Sequence, residues 1–166
     1  KKLGLIDDNV YAFCIINDFP MFEYSEDEDK PIFGHNPFSK PKATINDINL
    51  DNYQNILAYQ YDFVCNGEEL GSGAIRNTDL EMLYKCFNLV GYSRDEVNQR
   101  FKSITESFKY GVPPHGGFAL GIDRILMLLL DEVNLREVQT FPVGTKGQDL
   151  LMGGPLELTE TQLREL

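Results

Sequence analysis

The segment GGFALGIDRILMLLL, residues 116–130, joins a glycine-rich stretch to an apolar helix through one acid–base pair, Asp123 and Arg124. A helix N-terminus presents unpaired backbone N–H groups and a positive dipole end, and an arginine adds a permanent charge. This combination predicts an anion site suited to a polyphosphate. Three glycines leave room for a ligand to approach the backbone: Gly116, Gly117 and Gly121. An equal alternative is that Asp123 and Arg124 pair with other core charges, since the apolar helix is expected to be buried.

The composition limits the classes of function. The chain has 166 residues, 42% of them hydrophobic, and a net charge of −11. An acidic chain repels nucleic acid phosphates, and no Lys/Arg stripe is present, so a grip on RNA must come mostly from residues outside this chain. The apolar run at 125–130 is too short to span a membrane, and residues 1–9 do not read as a signal peptide. We therefore expect a cytoplasmic protein.

Cysteine and histidine usage argues against a zinc site. The chain has two histidines and three cysteines, an odd number without metal-ligand spacing. The cysteines lie in apolar segments and are expected to be reduced core residues: Cys14, Cys65 and Cys86.

Strand patterns are linked by hairpin signals and are not separated by regularly spaced helices. The predicted elements are a buried strand at 10–17, an acidic hairpin tip within 22–30, a proline-rich loop at 31–42, strands at 57–65 and 69–76 joined by Asn66-Gly67, helices at 78–89 and 93–110, a short strand at 134–141 and a short helix at 159–166. This order predicts an α+β fold with an antiparallel sheet flanked by helices. Glycine loops of the Walker or dinucleotide type are absent from the sequence.

Four segments, in this order and spacing, carry a family resemblance: INDFPMFE, GHNPFSKPK, YDFVCNGEELGSGAIR and KYGVPPHGG, followed by GFALGIDRILMLL. Together they resemble the bacterial-type aspartyl-tRNA synthetases, which are class II aminoacyl-tRNA synthetases. The resemblance covers nearly the whole chain. It implies an aspartate–tRNA ligase that activates L-aspartate with ATP and Mg²⁺ to aspartyl-adenylate and transfers the aspartyl group to tRNA.

The resemblance also implies which part of such an enzyme is present. Residues 1–166 correspond to the C-terminal part of the catalytic domain, with the third class II motif at 116–130. Motifs 1 and 2, the inserted domain and the anticodon-binding domain are not recognised in the sequence. The fragment alone is therefore expected to be inactive, and the complete enzyme is expected to be a homodimer.

The resemblance assigns the nucleotide side of the site to two segments. Arg124 would hold the γ-phosphate of ATP, with Gly121, Ile122 and Asp123 lining the pocket. Glu69 would lie beside the phosphates and ligate Mg²⁺, so that Arg124 and Glu69 form the catalytic set. The alternative from the residues alone is that Glu69 is an exposed hairpin acid beside Glu68.

The amino acid side is assigned to three residues. Arg76 would grip the aspartate side-chain carboxylate with two hydrogen bonds, His35 would reach the substrate from its loop, and Asp62 would attract the substrate ammonium. The alternatives are a surface arginine, a histidine packed between Phe33 and Phe38, and an acid that caps the hairpin.

Departures from the family pattern leave other functions open. Asn36 stands where family members often have a second histidine. Two rival classes stay open: a synthetase-like paralogue, such as an amide-forming ligase or a regulatory protein, and a non-enzymatic dimerising module. Glu69 and Arg76 are an odd number of residues apart, so sharing one pocket requires a β-bulge, which is expected at Gly71–Gly73.

Overall fold

The sheet that carries the candidate site has four antiparallel strands. They are β1 (Phe13–Asn17), β4 (Gln60–Cys65), β5 (Glu68–Ile75) and β6 (Gly116–Leu120), and their order in the sheet is β1-β4-β5-β6. A separate hairpin contains β2 (Phe22–Ser25) and β3 (Lys30–Phe33). The computed structural model describes residue 7 and residues 9–164. Its antiparallel sheet and helices confirm the predicted α+β fold.

The chain divides into two units, the first ending at Leu120 and the second beginning at Gly121. In the first unit, helices α1 (Leu80–Leu89), α2 (Arg94–Arg100) and α3 (Lys102–Phe108) follow the sheet strands, and a 3₁₀ helix spans Tyr53–Asn55. The second unit contains α4 (Ile122–Leu129), a 3₁₀ helix at Leu135–Val138 and α5 (Glu160–Arg164). Among the described residues, no helix combines the length and the apolar character needed to cross a membrane.

The helix boundaries follow side-chain caps that are visible in the sequence. The carboxylate of Asp79 accepts hydrogen bonds from two backbone N–H groups at the start of α1. Ser93 and Glu96 form a reciprocal capping box at the start of α2. The single helix predicted at 93–110 is wrong, because Phe101 leaves the helical region (φ −120°, ψ 35°) and separates α2 from α3. The strand predicted at 134–141 is also wrong, since a 3₁₀ helix lies there.

The first unit has two hydrophobic clusters beside the sheet. One combines the β2–β3 hairpin with α1 and contains Met21, Phe22, Ile48, Tyr53, Ile56, Ala58, Cys86 and Val90. The other lies between α1 and α2 and contains Leu83, Tyr84, Phe87 and Val97. Part of the segment predicted as a loop at 31–42 therefore forms β3, because Pro31 is buried in this hairpin.

Three expectations about burial are wrong. Every residue of β1 is exposed, Cys14 included, and Met127 is the one buried residue of α4. Apolar strands and helices are buried only where other elements cover them, and the described residues do not cover these. Cys65 and Cys86 do lie in the core, and burial raises the pKa of the Cys86 thiol to about 12.

A β-bulge in β5 reverses the alternation of its side chains. Val64 of β4 pairs with Glu69, but the adjacent Phe63 pairs with Gly71, so Leu70 is the extra residue. Because paired residues point to the same face, Glu69 lies on the face of Val64 and, two residues along β4, of Asp62.

The bulge lies just before the segment where it was expected. From Gly71 to Gly73 the pairing with both neighbouring strands is regular. These two glycines instead permit close approach of β6: a Cβ on Gly71 would lie 2.6 Å from the carbonyl oxygen of Ala119, and one on Gly73 would lie 2.3 Å from that of Gly117. The bulge still has the consequence that was predicted from the sequence. Glu69 lies on the same face of the sheet as Ser72 and Ala74.

We predict that Gly73→Ala destabilises the fold by about 1–3 kcal/mol, because its Cβ would also lie 2.5 Å from the Tyr61 ring. Urea unfolding of the purified chain measures the change. The matched control is Gly117→Ala on the paired strand, where a Cβ would meet nothing within 4 Å. Equal stability of Gly73→Ala and the wild type would show that the close approach of the strands is not required.

Candidate functional site

A cavity of about 630 Å³ opens on one face of the sheet in the first unit. The face is set by register: Gln60 pairs with Ala74, and Ala74 pairs with Gly117, so all three lie on the cavity side. The lining comes from β4, β5, β6 and two loops, and comprises His35, Asn36, Gln60, Ser72, Gly73, Ala74, Arg76, His115, Gly116, Gly117, Phe118 and Ala119.

Arg76 lies at the end of β5 with its guanidinium at the cavity. Its backbone N–H donates to the carbonyl oxygen of His115 (2.9 Å), which fixes the end of the strand beside β6. The guanidinium lies 5.3 Å from the centre of the Phe38 ring, and its Nη1 lies 3.5 Å from Oδ1 of Asn36. Within the described residues Arg76 forms no ion pair, so neutral groups support its charge.

Asn36 is held in a turn that connects the His35 loop to the sheet. Its Oδ1 accepts a hydrogen bond from the backbone N–H of Phe38 (2.9 Å). Its carbonyl oxygen accepts from the hydroxyl of Ser39 (2.8 Å) and from Nε2 of Gln60 (3.1 Å). Ser39 is fully buried and Gln60 is 5% exposed. The loop therefore has a fixed attachment to β4 directly beside Arg76.

Two histidines line the cavity. His35 is exposed and packs edge-on against Phe19, with ring centres 4.9 Å apart. The alternative that it packs between Phe33 and Phe38 is wrong, because those rings contact Phe87 instead. His115 Nδ1 lies 3.0 Å from a backbone carbonyl oxygen, that of Pro113, so the proton belongs on Nδ1. In the neutral ring Nε2 is then an acceptor.

Asp62 and Glu69 form a pair of carboxylates on the cavity face of the sheet. Burial raises the pKa of Asp62, the nearby Glu69 carboxylate raises it further, and His35 partly offsets both effects. Asp62 lies within β4 opposite Ser72, so it does not cap the hairpin. Asn66 lies at the hairpin turn instead. Its Oδ1 accepts a hydrogen bond from the backbone N–H of Ala12 (2.8 Å), which connects the turn to the start of β1.

The second unit contains the Gly121–Arg124 segment. Gly121 is the N-cap of α4, and no side chain caps this helix N-terminus. Asp123 accepts a hydrogen bond from Nε2 of Gln139 (2.8 Å), which ties the first turn of α4 to the end of the following 3₁₀ helix. Arg124 is exposed and Asp123 is half-buried, so neither member of the acid–base pair is a fully buried core charge.

The structure thus brings together most of the residues that were assigned to the amino acid. His35 and Arg76 line one cavity, and Asp62 and Glu69 lie on the same sheet face. The sequence interpretation missed Gln60, Ser72 and His115 as cavity residues. Alternation along β4 and β5 could have identified the first two, because they share a face with Asp62.

Comparison with known proteins places the chain in a family. Residues 3–145 match the family model of class II tRNA synthetases (D, K and N), and the chain belongs to that family. It is 54% identical over all 166 residues to an aspartate–tRNA(Asp/Asn) ligase of Wolbachia sp. subsp. Drosophila simulans and 52% identical to that of Pelagibacter ubique. The chain spans 28% of the length of these relatives.

Solved structures agree on the fold. Aspartyl-tRNA synthetase from Entamoeba histolytica is 28% identical, with a TM-score of 0.58, over 82% of this chain and 23% of that one. The asparaginyl-tRNA synthetase of the same organism, in complex with asparaginyl-adenylate, is 22% identical with a TM-score of 0.59. The aligned region covers 86% of this chain and 27% of that synthetase, and at this identity the similarity supports the fold alone.

We predict that Asp62→Asn stabilises the chain at neutral pH. The folded state holds the Asp62 proton more tightly than the unfolded chain does. That contribution to stability is complete below the ordinary pKa of 3.8 and is lost as pH rises through the raised pKa of the folded state. Because an asparagine cannot ionise, the variant does not lose this stability as the pH rises.

Urea unfolding at neutral pH and below pH 3.8 tests this, and the advantage of Asp62→Asn should shrink at the acidic pH. Asp51→Asn, at an exposed position, serves as the control and should change stability little at either pH. A variant less stable than wild type at neutral pH would contradict the prediction.

Proposed function

We propose that the chain is the C-terminal part of the catalytic domain of an aspartate–tRNA ligase. The names of its relatives support this proposal. The main structural support is the position of the Arg76 guanidinium and its contacts with neutral groups. A guanidinium at a cavity wall, supported by an amide oxygen and an aromatic ring, keeps its positive charge available to a ligand. A carboxylate is the complementary partner, because its two oxygens accept two parallel N–H bonds.

The same geometry favours an acid over its amide. A carboxylate offers two acceptor oxygens and a negative charge to Arg76. A side-chain amide offers one oxygen, and its NH₂ group would face a cationic donor. His115 and His35 lie on the same cavity and would contact the remainder of the amino acid. We therefore assign L-aspartate, with its side-chain carboxylate on Arg76, to this cavity.

The two carboxylates fit the metal side of the reaction. Among the described residues, no group of three or more metal-binding side chains occurs. Mg²⁺ does not need one, since it commonly binds one or two carboxylates together with substrate phosphates and water. Asp62 and Glu69 lie on one face of the sheet, and the Glu69 carboxylate adds to the rise that burial causes in the pKa of Asp62. Glu69, with Asp62 beside it, would hold Mg²⁺, which supplies charge neutralisation at the ATP phosphates.

This placement gives Asp62 two possible partners. One is the Mg²⁺ ion that Glu69 would hold. The other is the ammonium group of the substrate, which the family resemblance assigns to Asp62. Both need Asp62 ionised, and both would lower its pKa when bound. The Asp62→Asn variant loses either contact, so Mg²⁺-dependent stabilisation of wild type but not of the variant would favour the metal.

The α4 N-terminus fits the terminal phosphates of ATP. Its backbone N–H groups have no side-chain cap, and Arg124 lies exposed in the first turn. We assign the γ-phosphate to Arg124, with Gly121, Ile122 and Asp123 as pocket residues. Asp123 would act mainly by fixing the turn through Gln139. Arg124 would then stabilise the charge that the phosphates carry.

In the proposed reaction the α-carboxylate of aspartate attacks the α-phosphorus of ATP, giving aspartyl-adenylate and pyrophosphate. The aspartyl group is then transferred to the 3′ end of tRNA. No protein nucleophile is needed, so the chain contributes binding, orientation and charge. With a net charge of −11, it would contact tRNA mainly through other parts of a complete, homodimeric, cytoplasmic enzyme.

We predict that Arg76→Lys in the complete enzyme lowers kcat/KM for aspartate by a factor equivalent to about 2–4 kcal/mol, because an ammonium cannot form the two-pronged contact. The KM for ATP should change little. Aspartate-dependent pyrophosphate exchange gives both constants, and tRNA charging should fall in parallel.

The matched control is Arg94→Lys, a surface arginine whose side chain is 57% exposed and pairs with Glu81. It should leave both constants unchanged. An unaltered aspartate kcat/KM in Arg76→Lys would refute the carboxylate assignment. Adenylate formation by the wild type without tRNA charging would support an amide ligase or regulatory paralogue instead.

A further inference from the structure

Gln60 is the one buried side chain of the cavity wall with an amide group. Its side chain is directed from β4 towards the Asn36 turn, and its Nε2 donates to the carbonyl oxygen of Asn36 (3.1 Å) and to the hydroxyl oxygen of Ser39 (2.8 Å). Both amide hydrogens are therefore in use. Its Oε1 is buried and has no hydrogen-bond partner among the described residues.

These contacts fix the orientation of the amide. The Ser39 hydroxyl donates its hydrogen to Asn36 O, so it can only accept from Gln60. A flipped amide would put Oε1 against a carbonyl oxygen and lose both bonds. Oε1 is thus held as an acceptor although leaving it unpaired costs about 1–3 kcal/mol. Such a cost at a cavity wall points to a partner that donates there.

Arg76 follows β5 on the same face of the sheet as Gln60. Gln60 pairs directly with Ala74, and Arg76 is the next residue of the same strand on that face. Diagonal neighbours across an antiparallel pair lie close enough for long side chains to interact. Gln60 also holds Asn36, whose Oδ1 lies 3.5 Å from Nη1 of Arg76. The contacts therefore connect Gln60 to the guanidinium through Asn36, and the register of the sheet places the unpaired Oε1 on the same face as Arg76.

We propose that Gln60 is a positioning residue that sets the orientation of the Arg76 guanidinium for carboxylate binding. It fixes the Asn36 turn and presents its own Oε1 as a second neutral acceptor for an Arg76 N–H group. A neutral acceptor orients the guanidinium and leaves its positive charge in place. A carboxylate at the same position would neutralise that charge. The inference rests on the proposed function, because it concerns how aspartate is selected.

The test is Gln60→Met in the complete enzyme, since methionine has a similar shape but neither donors nor an acceptor. We expect the KM for aspartate to rise about tenfold, the loss of roughly one oriented hydrogen bond, with kcat and the KM for ATP within about threefold of wild type. The melting temperature should not fall, because the substitution also removes a buried unpaired oxygen. Gln54→Met, at an exposed position on the Tyr53–Asn55 helix, is the matched control and should behave as wild type.

Two further variants examine the route. Asn36→Ala combined with Gln60→Met should be clearly less than additive on the aspartate KM, because both act on the same guanidinium. Gln60→Glu should raise that KM further than Gln60→Met does, because a carboxylate would pair with Arg76. Additive effects, or a Gln60→Glu enzyme that uses aspartate normally, would overturn the proposal.

The remaining outcomes separate the inference from the function. A Gln60→Met enzyme with unchanged aspartate KM, or with kcat, both KM values and the melting temperature all impaired together, would overturn the positioning role while the proposed function stands. A complete wild-type enzyme without aspartate-dependent pyrophosphate exchange would overturn the proposed function and the inference with it.

Discussion

The extra residue in β5 is the constraint on which the candidate site depends. Without Leu70 as a bulge, the strict alternation of a strand would place Glu69 on the face opposite to Ser72 and Arg76. With it, the carboxylate pair and the guanidinium share one face. Leu70 itself is buried, so the core has a side chain that fixes the position of the bulge.

Neutral support of a charged group is the second feature of the site. Arg76 contacts an amide oxygen, an aromatic ring and the backbone of His115, while the carboxylates are those of Asp62 and Glu69. Opposite charges within one site would cancel if they met directly. The Asp62 and Glu69 carboxylates and the Arg76 guanidinium are therefore separate charges on one face of the sheet.

The chain leaves apolar surfaces exposed on one face of its sheet. The sheet face opposite the cavity presents Phe13, Ile15 and Leu120 to solvent. Exposed apolar area of this kind on a sheet is normally covered by another layer. The chain spans 28% of the length of its relatives, which leaves ample sequence in such proteins to supply that layer.

The sequence alone determined the local structure and the chemical types in the site. Asn66-Gly67 specifies a hairpin, Ser93 and Glu96 specify a cap, and motif spacing indicated the family, because each depends on neighbours in the chain. Only tertiary structure decided the position of the bulge at Leu70, the break at Phe101 and the exposure of β1. It also decided the burial and the contacts of Gln60, because burial and pairing depend on residues that are distant in sequence and adjacent in space.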